Sequence, residues 1–195
     1  MDTDTAEAAV SAGSDAIGLI FFALSKRHLE LDQAASICRS AGPFVSTVAV
    51  MVNPDPQYVE AIISQVSPSH LQFHGEETAE FCASFGKPYI KALRMAQGID
   101  LLKMESCYDS AQGILLDTHV PDIVGGTGAV FDWGRANYGG SKPVILAGGL
   151  SSDNIVEAID QVCPYAVDIS SGVESNGRKD PEKIRRICRR IINSE

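Results

Sequence analysis

The chain has 195 residues, which fits one domain with a substantial core but is short against the roughly 250 residues of a typical eight-fold barrel. It carries 25 acidic and 16 basic residues, for a formal net charge of -9 and a pI near 4.9. This acidity disfavours a nucleic-acid or anionic-membrane surface, so we expect any bound anion to be held by local backbone amides and single arginines.

Cysteine usage and hydropathy indicate a cytoplasmic protein. The five cysteines are widely spaced and contain no Cys-x-x-Cys pair, which predicts reduced core thiols. The acidic N-terminal stretch lacks the positive flank of a signal peptide, and no apolar run approaches the roughly 18 residues of a membrane span. Because His28, His70 and His119 are scattered without metal-ligand spacing, we predict no metal.

Strand patterns alternate with amphipathic helix patterns along the chain. An opening helix is predicted where Asp2 or Thr3 can cap it and Gly13 ends the apolar repeat. Seven strand patterns follow. Five lie at Asp15–Phe21, Thr47–Val52, Ser69–His74, Tyr89–Arg94 and Gly113–Asp117, and the last two begin the segments Pro143–Leu150 and Ala166–Glu174, where each strand runs into small residues. Helical patterns separate them, at about Asp32–Ser40, Val59–Val66, Phe81–Phe85, Ile99–Met104, near Trp133 and after Ser152, and a last helix starts at Asp180-Pro181.

This order of elements predicts the fold class. Continuous apolar strands that alternate with helices indicate parallel βα units with both sheet faces covered. A closed barrel of this kind needs eight strands, and the opening helix has no strand before it. We therefore predict an α/β protein with a (β/α)8 TIM barrel as its single domain over 1–195, whose first strand is missing from this chain and is expected upstream of Met1.

Glycines follow each of the last two predicted strands. Gly148, Gly149 and Gly172 have no Cβ, so the main chain there can approach a phosphate and direct N–H groups at it. Ser151 or Ser152 can cap the following helix, whose positive end would add to the same field. Loops after the seventh and eighth strands of such barrels commonly bind phosphate. We predict a phosphate site here; the alternative is a pair of tight turns.

Two aspartates are candidates for chemistry at the same edge of the sheet. Asp117 ends an otherwise apolar strand, where it could act as a general acid or serve as a helix cap or loop ion pair. Alternation places Asp168 on the barrel-interior side together with Ser170. Asp168 is a candidate for binding hydroxyls or an amine, and the alternative is an ion pair with an interior lysine such as Lys91.

Three further polar residues are expected at this mouth. Arg27 follows the first visible strand and could grip a carboxylate through two parallel hydrogen bonds, or be a solvated surface charge. Gln72 and His74 form a polar face on their strand, where His74 could be a proton shuttle or a hydrogen-bonded structural histidine. The loop Val124–Gly128 could be a lid or a second anion site.

Motifs spread over nearly the whole chain, in family order, resemble the phosphoribosylanthranilate isomerases of tryptophan biosynthesis. They are Leu71–Gly75, Ile114–Thr118, Gly125–Gly128, Phe131–Trp133, Ile145–Leu150, Val167–Glu174 and Lys179–Lys183. The resemblance implies a (β/α)8 barrel that converts N-(5'-phosphoribosyl)anthranilate to its 1'-deoxyribulose isomer by an Amadori rearrangement. It also implies that neither a metal nor an organic cofactor takes part. We expect the binding partner to be a small phosphorylated substrate and the protein to be a monomer or homodimer.

The resemblance also implies roles for individual residues. Asp117 would be the general acid that protonates the furanose ring oxygen, and Arg27 would bind the anthranilate carboxylate. Asp168 would sit beside the amine and hydroxyls of the substrate, which Gln72 and His74 would also contact. The phosphate would be held by Gly148, Gly149, Ser170, Ser171 and Gly172.

One departure from the family pattern concerns the general base. The family uses a cysteine in a Lys-Ile-Cys-Gly segment that ends the first strand, and this sequence has no such segment. Either Met1 is an internal methionine of a longer natural protein, or the chain is truly short. A catalytically impaired, phosphate-binding barrel is therefore the alternative to an active isomerase. The related rearrangement of histidine biosynthesis needs a second phosphate site, which Ser25–Arg27 does not resemble.

Overall fold

Seven parallel strands form one sheet in the computed structural model, which describes residues 2–95, 98–117 and 133–193. Their spatial order equals their order in the chain, so each strand pairs with the one that precedes it. The strands are β1 (Ala16–Ile20), β2 (Ser46–Met51), β3 (His70–Phe73), β4 (Tyr89–Arg94), β5 (Gly113–Asp117), β6 (Val144–Ala147) and β7 (Ala166–Val167). The predicted seven parallel strands are confirmed.

Helices connect the strands, as the alternating sequence pattern predicts. They are α1 (Thr3–Ser11), α2 (Leu31–Ala41), α3 (Pro56–Gln65), α4 (Ala79–Ala83), α5 (Leu101–Cys107), α6 (Ile155–Val162) and α7 (Pro181–Ile192). Short 3-10 helices occupy Trp133–Ala136 and Ser171–Val173, and a small hairpin of β8 (Glu174–Ser175) and β9 (Arg178–Lys179) precedes α7.

Helices α1 and α7 begin after Asp2 and Asp180, whose carboxylates cap them, but one other predicted cap is wrong. The Asp2 carboxylate accepts a 2.9 Å hydrogen bond from the Thr5 amide at the start of α1, as predicted. The predicted serine cap on the helix after Gly149 is wrong. Asn154 precedes α6 instead, and its side-chain oxygen accepts from the Ser151 amide at 2.8 Å.

The alternation of side chains divides the apolar residues into an outer and an inner cluster. The outer cluster lies between sheet and helices and includes fully buried side chains from nearly every strand. The inner cluster is small: only Ala92, Leu115 and Ala147 are buried in it, with Ile90 and Ile145 partly buried beside them. On β1 the inward-facing positions are exposed. The inner face of the sheet is therefore open next to β1.

The helix layer closes around this opening although the sheet does not. Helix α1 packs against both α2 and α7, and the Ser14 hydroxyl lies 3.9 Å from the Cys188 sulfur. Within the described residues, β1 and β7 each pair with a single strand. A gap in the strand layer thus lies between β1 and β7 on the α1 side, where a barrel would carry its remaining strand.

A buried ion pair fixes the loop that follows β3. Lys91 and Glu77 have side chains only 2% exposed, and Lys91 Nζ lies 2.9 Å from Glu77 Oε2. Lys91 also donates to the carbonyl oxygens of Phe73 at 3.2 Å and Gly75 at 2.6 Å. Because Ile90 faces the barrel interior, Lys91 faces the helices. The alternative pairing of Lys91 with Asp168 is therefore wrong.

Candidate active site

A chain of three polar side chains lies at the carboxyl ends of β3 and β5. His74 Nε2 lies 3.2 Å from Asp117 Oδ2, and Gln72 Nε2 lies 3.3 Å from His74 Nδ1. The Gln72 amide can only donate at this position, so Nδ1 accepts and Nε2 carries the proton that is donated to Asp117; this tautomer is assigned from the network. The structure therefore brings together three residues that the sequence proposed separately.

The buried Lys91–Glu77 ion pair fixes the loop that follows His74. Both Glu77 carboxylate oxygens accept from the Gly75 amide, at 3.1 and 3.0 Å, and Glu77 Oε1 also accepts from the Asn53 amide at 2.8 Å. A Cβ at Gly75 would collide with Asn53. The backbone amide of His74 donates to Met51 O at 2.8 Å. These contacts limit where the imidazole can stand relative to Asp117.

Asp168 follows β7, and its carboxyl group interacts electrostatically with His74 and Asp117. Its amide donates to Leu146 O at 2.8 Å, which continues the β6–β7 pairing by one residue. Solvent reaches Asp168, while the surrounding protein still desolvates its carboxyl group in part. Desolvation raises the pKa of Asp168, and the nearby charge of Asp117 acts in the same direction, whereas His74 and Lys179 lower it.

Replacing Asp168 with asparagine should stabilise the fold in a pH-dependent way. The pKa of Asp168 in the folded protein is raised above its ordinary value of 3.8, because the folded state disfavours the charged carboxylate. The free energy of unfolding therefore has its full value below pH 3.8 and decreases as the pH rises through the folded-state pKa. Asparagine keeps the size without the charge. Thermal unfolding between about pH 3 and pH 8 should therefore show a Tm advantage for Asp168→Asn that grows with pH. The exposed Asp160→Asn is the control, and a pH-independent difference would contradict this account.

The loops after β6 and β7 lie against each other, as the predicted phosphate cradle requires. Gly148 and Gly149 follow β6 with φ of 88° and 66°, in the left-handed region that favours glycine. Gly172 follows β7, and a Cβ there would collide with the carbonyl oxygen of Leu150 in the neighbouring loop. Both glycine positions are therefore required by the backbone path. Whether this pair of loops binds phosphate remains a prediction.

The loop after β7 is anchored by a lysine that the sequence reasoning gave no role. Ser170 and Ser171 lie in this loop, and Lys179 Nζ donates to the Ser170 carbonyl at 2.7 Å and to its hydroxyl at 3.3 Å. The Lys179 side chain is 13% exposed, and desolvation lowers its pKa. A largely desolvated cation thus stands next to the predicted phosphate loop.

Arg27 is in a tight ion pair. Its Nε and Nη2 donate to the two carboxylate oxygens of Glu174, at 2.6 and 2.9 Å. The hydrogen bond from Arg27 lowers the pKa of Glu174 to about 2, and the same bond raises the pKa of the guanidinium. The Arg27 side chain is 39% exposed, so it is a surface charge that is also ion-paired, and its binding of a substrate carboxylate stays a prediction.

Sequence reasoning missed Glu174 and Lys179 as members of the site. Both residues belong to the motifs that carry the family resemblance. They lie in the small β8–β9 hairpin, and their contacts with Arg27 and the Ser170 loop could not be predicted from their spacing in the sequence. The only available signal was two charged residues within a few positions of a glycine-rich strand end. The predicted lid at Val124–Gly128 lies outside the described residues.

The five cysteines all lie in the helix layer and are free thiols. Cys38, Cys82 and Cys188 lie within helices, Cys107 is the last residue of α5, and Cys163 follows α6. Burial raises the pKa of Cys82 to about 12. No cysteine therefore stands at the mouth next to Asp117. In the described part of the chain, no group of three or more metal-ligating side chains is assembled, and no helix has the length and apolarity to cross a membrane.

Comparison with known proteins places this site in a family. Residues 2–190 match the family model described as N-(5'phosphoribosyl)anthranilate (PRA) isomerase. An N-(5'-phosphoribosyl)anthranilate isomerase of Pseudomonas fluorescens SBW25 is 48% identical over 192 residues, which cover 98% of this chain and 91% of that protein.

Solved structures agree. The phosphoribosyl anthranilate isomerase of Thermotoga maritima has a TM-score of 0.88 at 34% identity, covering 99% of this chain and 95% of that one. A phosphoribosyl anthranilate isomerase in complex with reduced 1-(o-carboxyphenylamino)-1-deoxyribulose 5-phosphate has a TM-score of 0.83 at 32% identity, covering 98% and 94%. The family model covers nearly the whole chain, and the similarity in sequence and in structure agrees with it, so the chain belongs to the N-(5'-phosphoribosyl)anthranilate isomerase family.

Proposed function

We propose that this chain converts N-(5'-phosphoribosyl)anthranilate to 1-(2-carboxyphenylamino)-1-deoxyribulose 5-phosphate in tryptophan biosynthesis. The observation that carries the proposal is the hydrogen-bonded His74–Asp117 pair beside the glycine loops, in a chain 48% identical to a relative of that name. The pair offers acid–base chemistry, and the reaction is a sequence of proton transfers that needs no net oxidant.

The two anionic ends of the substrate match two parts of the site. Gly148, Gly149, Ser170, Ser171 and Gly172 would hold the phosphate, which the approach of the two loops at Gly172 and Leu150 supports. Arg27 would bind the anthranilate carboxylate through the guanidinium edge that Glu174 does not occupy. Between these ends, Asp168 and Gln72 would contact the amine and hydroxyls of the sugar.

Asp117 would start the reaction by giving a proton to the ring oxygen, which breaks the C1'–O bond and forms a Schiff base at the anthranilate nitrogen. A base then removes the proton on C2', and the electron pair moves into the C1'–C2' bond and on to nitrogen. Tautomerisation of this enolamine gives the ketone. His74 is placed to return a proton to Asp117 through Nε2. For the C2' proton, the described residues at the mouth offer Asp168 as an acceptor, whereas both ring nitrogens of His74 are engaged by Gln72 and Asp117.

Turnover of freshly prepared phosphoribosylanthranilate, followed by its anthranilate fluorescence, tests the proposal. We expect conversion, or at minimum competition by the reduced product analogue that a relative binds. Binding without turnover would favour the second candidate, an impaired phosphate-binding barrel, for which the position of the cysteines in the helix layer is the supporting observation. If the chain shows no binding and no turnover, the assignment is rejected. A cytoplasmic location and a monomeric or homodimeric state are part of the same proposal.

A further inference from the structure

Glu174 connects the two cations of the site. Its Oε1 accepts from Arg27 Nε at 2.6 Å and lies 3.1 Å from Lys179 Nζ, and its Oε2 accepts from Arg27 Nη2 at 2.9 Å. The Glu174 side chain is only 13% exposed. One carboxylate therefore holds the predicted carboxylate-binding arginine and the lysine that anchors the Ser170 loop.

We infer that Glu174 is a positioning residue that sets the distance between the carboxylate-binding and phosphate-binding ends of the site. This inference rests on the proposed function, because it assigns Arg27 to one end of the substrate and the Ser170 loop to the other. Glu174 touches neither end of the substrate in this arrangement and acts through its two partners.

The geometry of the guanidinium supports a positioning role rather than competition. Glu174 takes the side of the guanidinium formed by Nε and Nη2, and Arg27 Nη1 donates to no acceptor among residues 2–95, 98–117 and 133–193. An arginine has a second edge, formed by Nη1 and Nη2, that can still bind a carboxylate in the same plane. Glu174 thus orients the guanidinium group of Arg27 and leaves its Nη1–Nη2 edge available to a ligand.

The charge of Glu174 is also suited to the role. Arg27 and Lys179 would repel each other if no anion stood between them, and Arg27 lowers the pKa of Glu174 to about 2, so the carboxylate is ionised across the neutral range. The pair also joins the loop after β1 to the hairpin after β7, across the gap in the strand layer. Without this tie, the sheet pairing on that side would not fix the two loops relative to each other.

Glu174→Gln tests the inference, because glutamine keeps the shape but cannot accept from both Arg27 and Lys179 as an anion. We expect the Kd for the reduced product analogue and the KM for substrate to rise about tenfold or more, with kcat changed by less than about threefold. Anthranilate and inorganic phosphate, tested singly, should each bind more weakly to Glu174→Gln. The double variant with Arg27→Gln should lose less affinity for the analogue than the sum of the two single losses, because the part of the Glu174 effect that acts through Arg27 is already lost in Arg27→Gln.

Glu182→Gln is the matched control, since it breaks another Glu–Arg pair, with Arg185, on the exposed face of α7. It should leave Kd and KM unchanged. Tighter binding by Glu174→Gln would show that Glu174 competes with the substrate and would overturn the inference. A lower Tm with unchanged Kd and KM would reduce Glu174 to a structural ion pair and overturn it as well. If the wild-type chain neither binds the analogue nor turns over substrate, the proposed function fails, and this inference with it.

Discussion

Extending the chain upstream of Met1 by one strand that ends in a cysteine is expected to raise kcat/KM for phosphoribosylanthranilate by about a hundredfold or more. The strand layer has a gap between β1 and β7, next to the mouth that carries Asp117 and Asp168. A strand in that gap would bring its last residue to this mouth, because the carboxyl ends of parallel strands meet on one side of a barrel. The family resemblance implies that a cysteine there is the base for the C2' proton.

The extension is expected to change both stability and rate, and an extended chain with alanine in place of the cysteine separates the two effects. Closing the gap pairs two strand edges and covers the open inner face, so the extended chain should be more stable whether its last strand residue is cysteine or alanine. Only the cysteine form should gain the rate. Equal activity of the alanine form would show that closure alone is needed, and no gain in either form would reject the idea. If the short chain already matches the extended one, Asp168 takes the proton.

The fold was predictable because both of its determinants are local. Apolar runs with strand length alternate with amphipathic segments, and the bounds predicted for β4 and β5 are those found. The prediction was poorest for the last strand, expected at the start of the segment Ala166–Glu174 and ending before its small residues. Regular pairing ends at Val167, because the chain turns into the 3-10 helix Ser171–Val173. An apolar strand pattern indicates burial, whereas strand pairing also requires a neighbouring strand. In the described sheet β7 pairs only with β6, because its other edge lies at the gap.

The site was predictable as a set of positions but not as a set of contacts. Asp117 and His74 were each placed at the mouth by strand ends and alternation, yet their 3.2 Å contact depends on side chains of two strands that are not neighbours. Lys91 was assigned to the wrong partner, although applying the same alternation to β4 puts it on the helix side with Glu77. Arg27 and Glu174 come from opposite ends of the chain, so no spacing rule could join them.

Replacing Asp117 with asparagine should lower kcat by about 10²- to 10⁴-fold, the usual contribution of a general acid. The side chain is 22% exposed and lies 3.2 Å from His74 Nε2. Asparagine has the same size, and its amide oxygen can still accept from His74, so the Gln72–His74–Asp117 chain keeps its geometry. What is lost is a group that can give a proton to the ring oxygen and take one back from His74.

The pattern of kinetic constants decides whether Asp117 acts as an acid or as a binding group. A general acid works on the reacting oxygen, so kcat and kcat/KM should fall together while the Kd for the reduced product analogue stays within about threefold of wild type. The measurement is best made in the cysteine-extended chain, where activity is highest, with the exposed Asp109→Asn as control. A raised Kd with unchanged kcat would assign Asp117 to substrate binding. Retention of kcat within about fivefold would place the acid elsewhere, with His74 the next candidate because its Nε2–H already points into the same space.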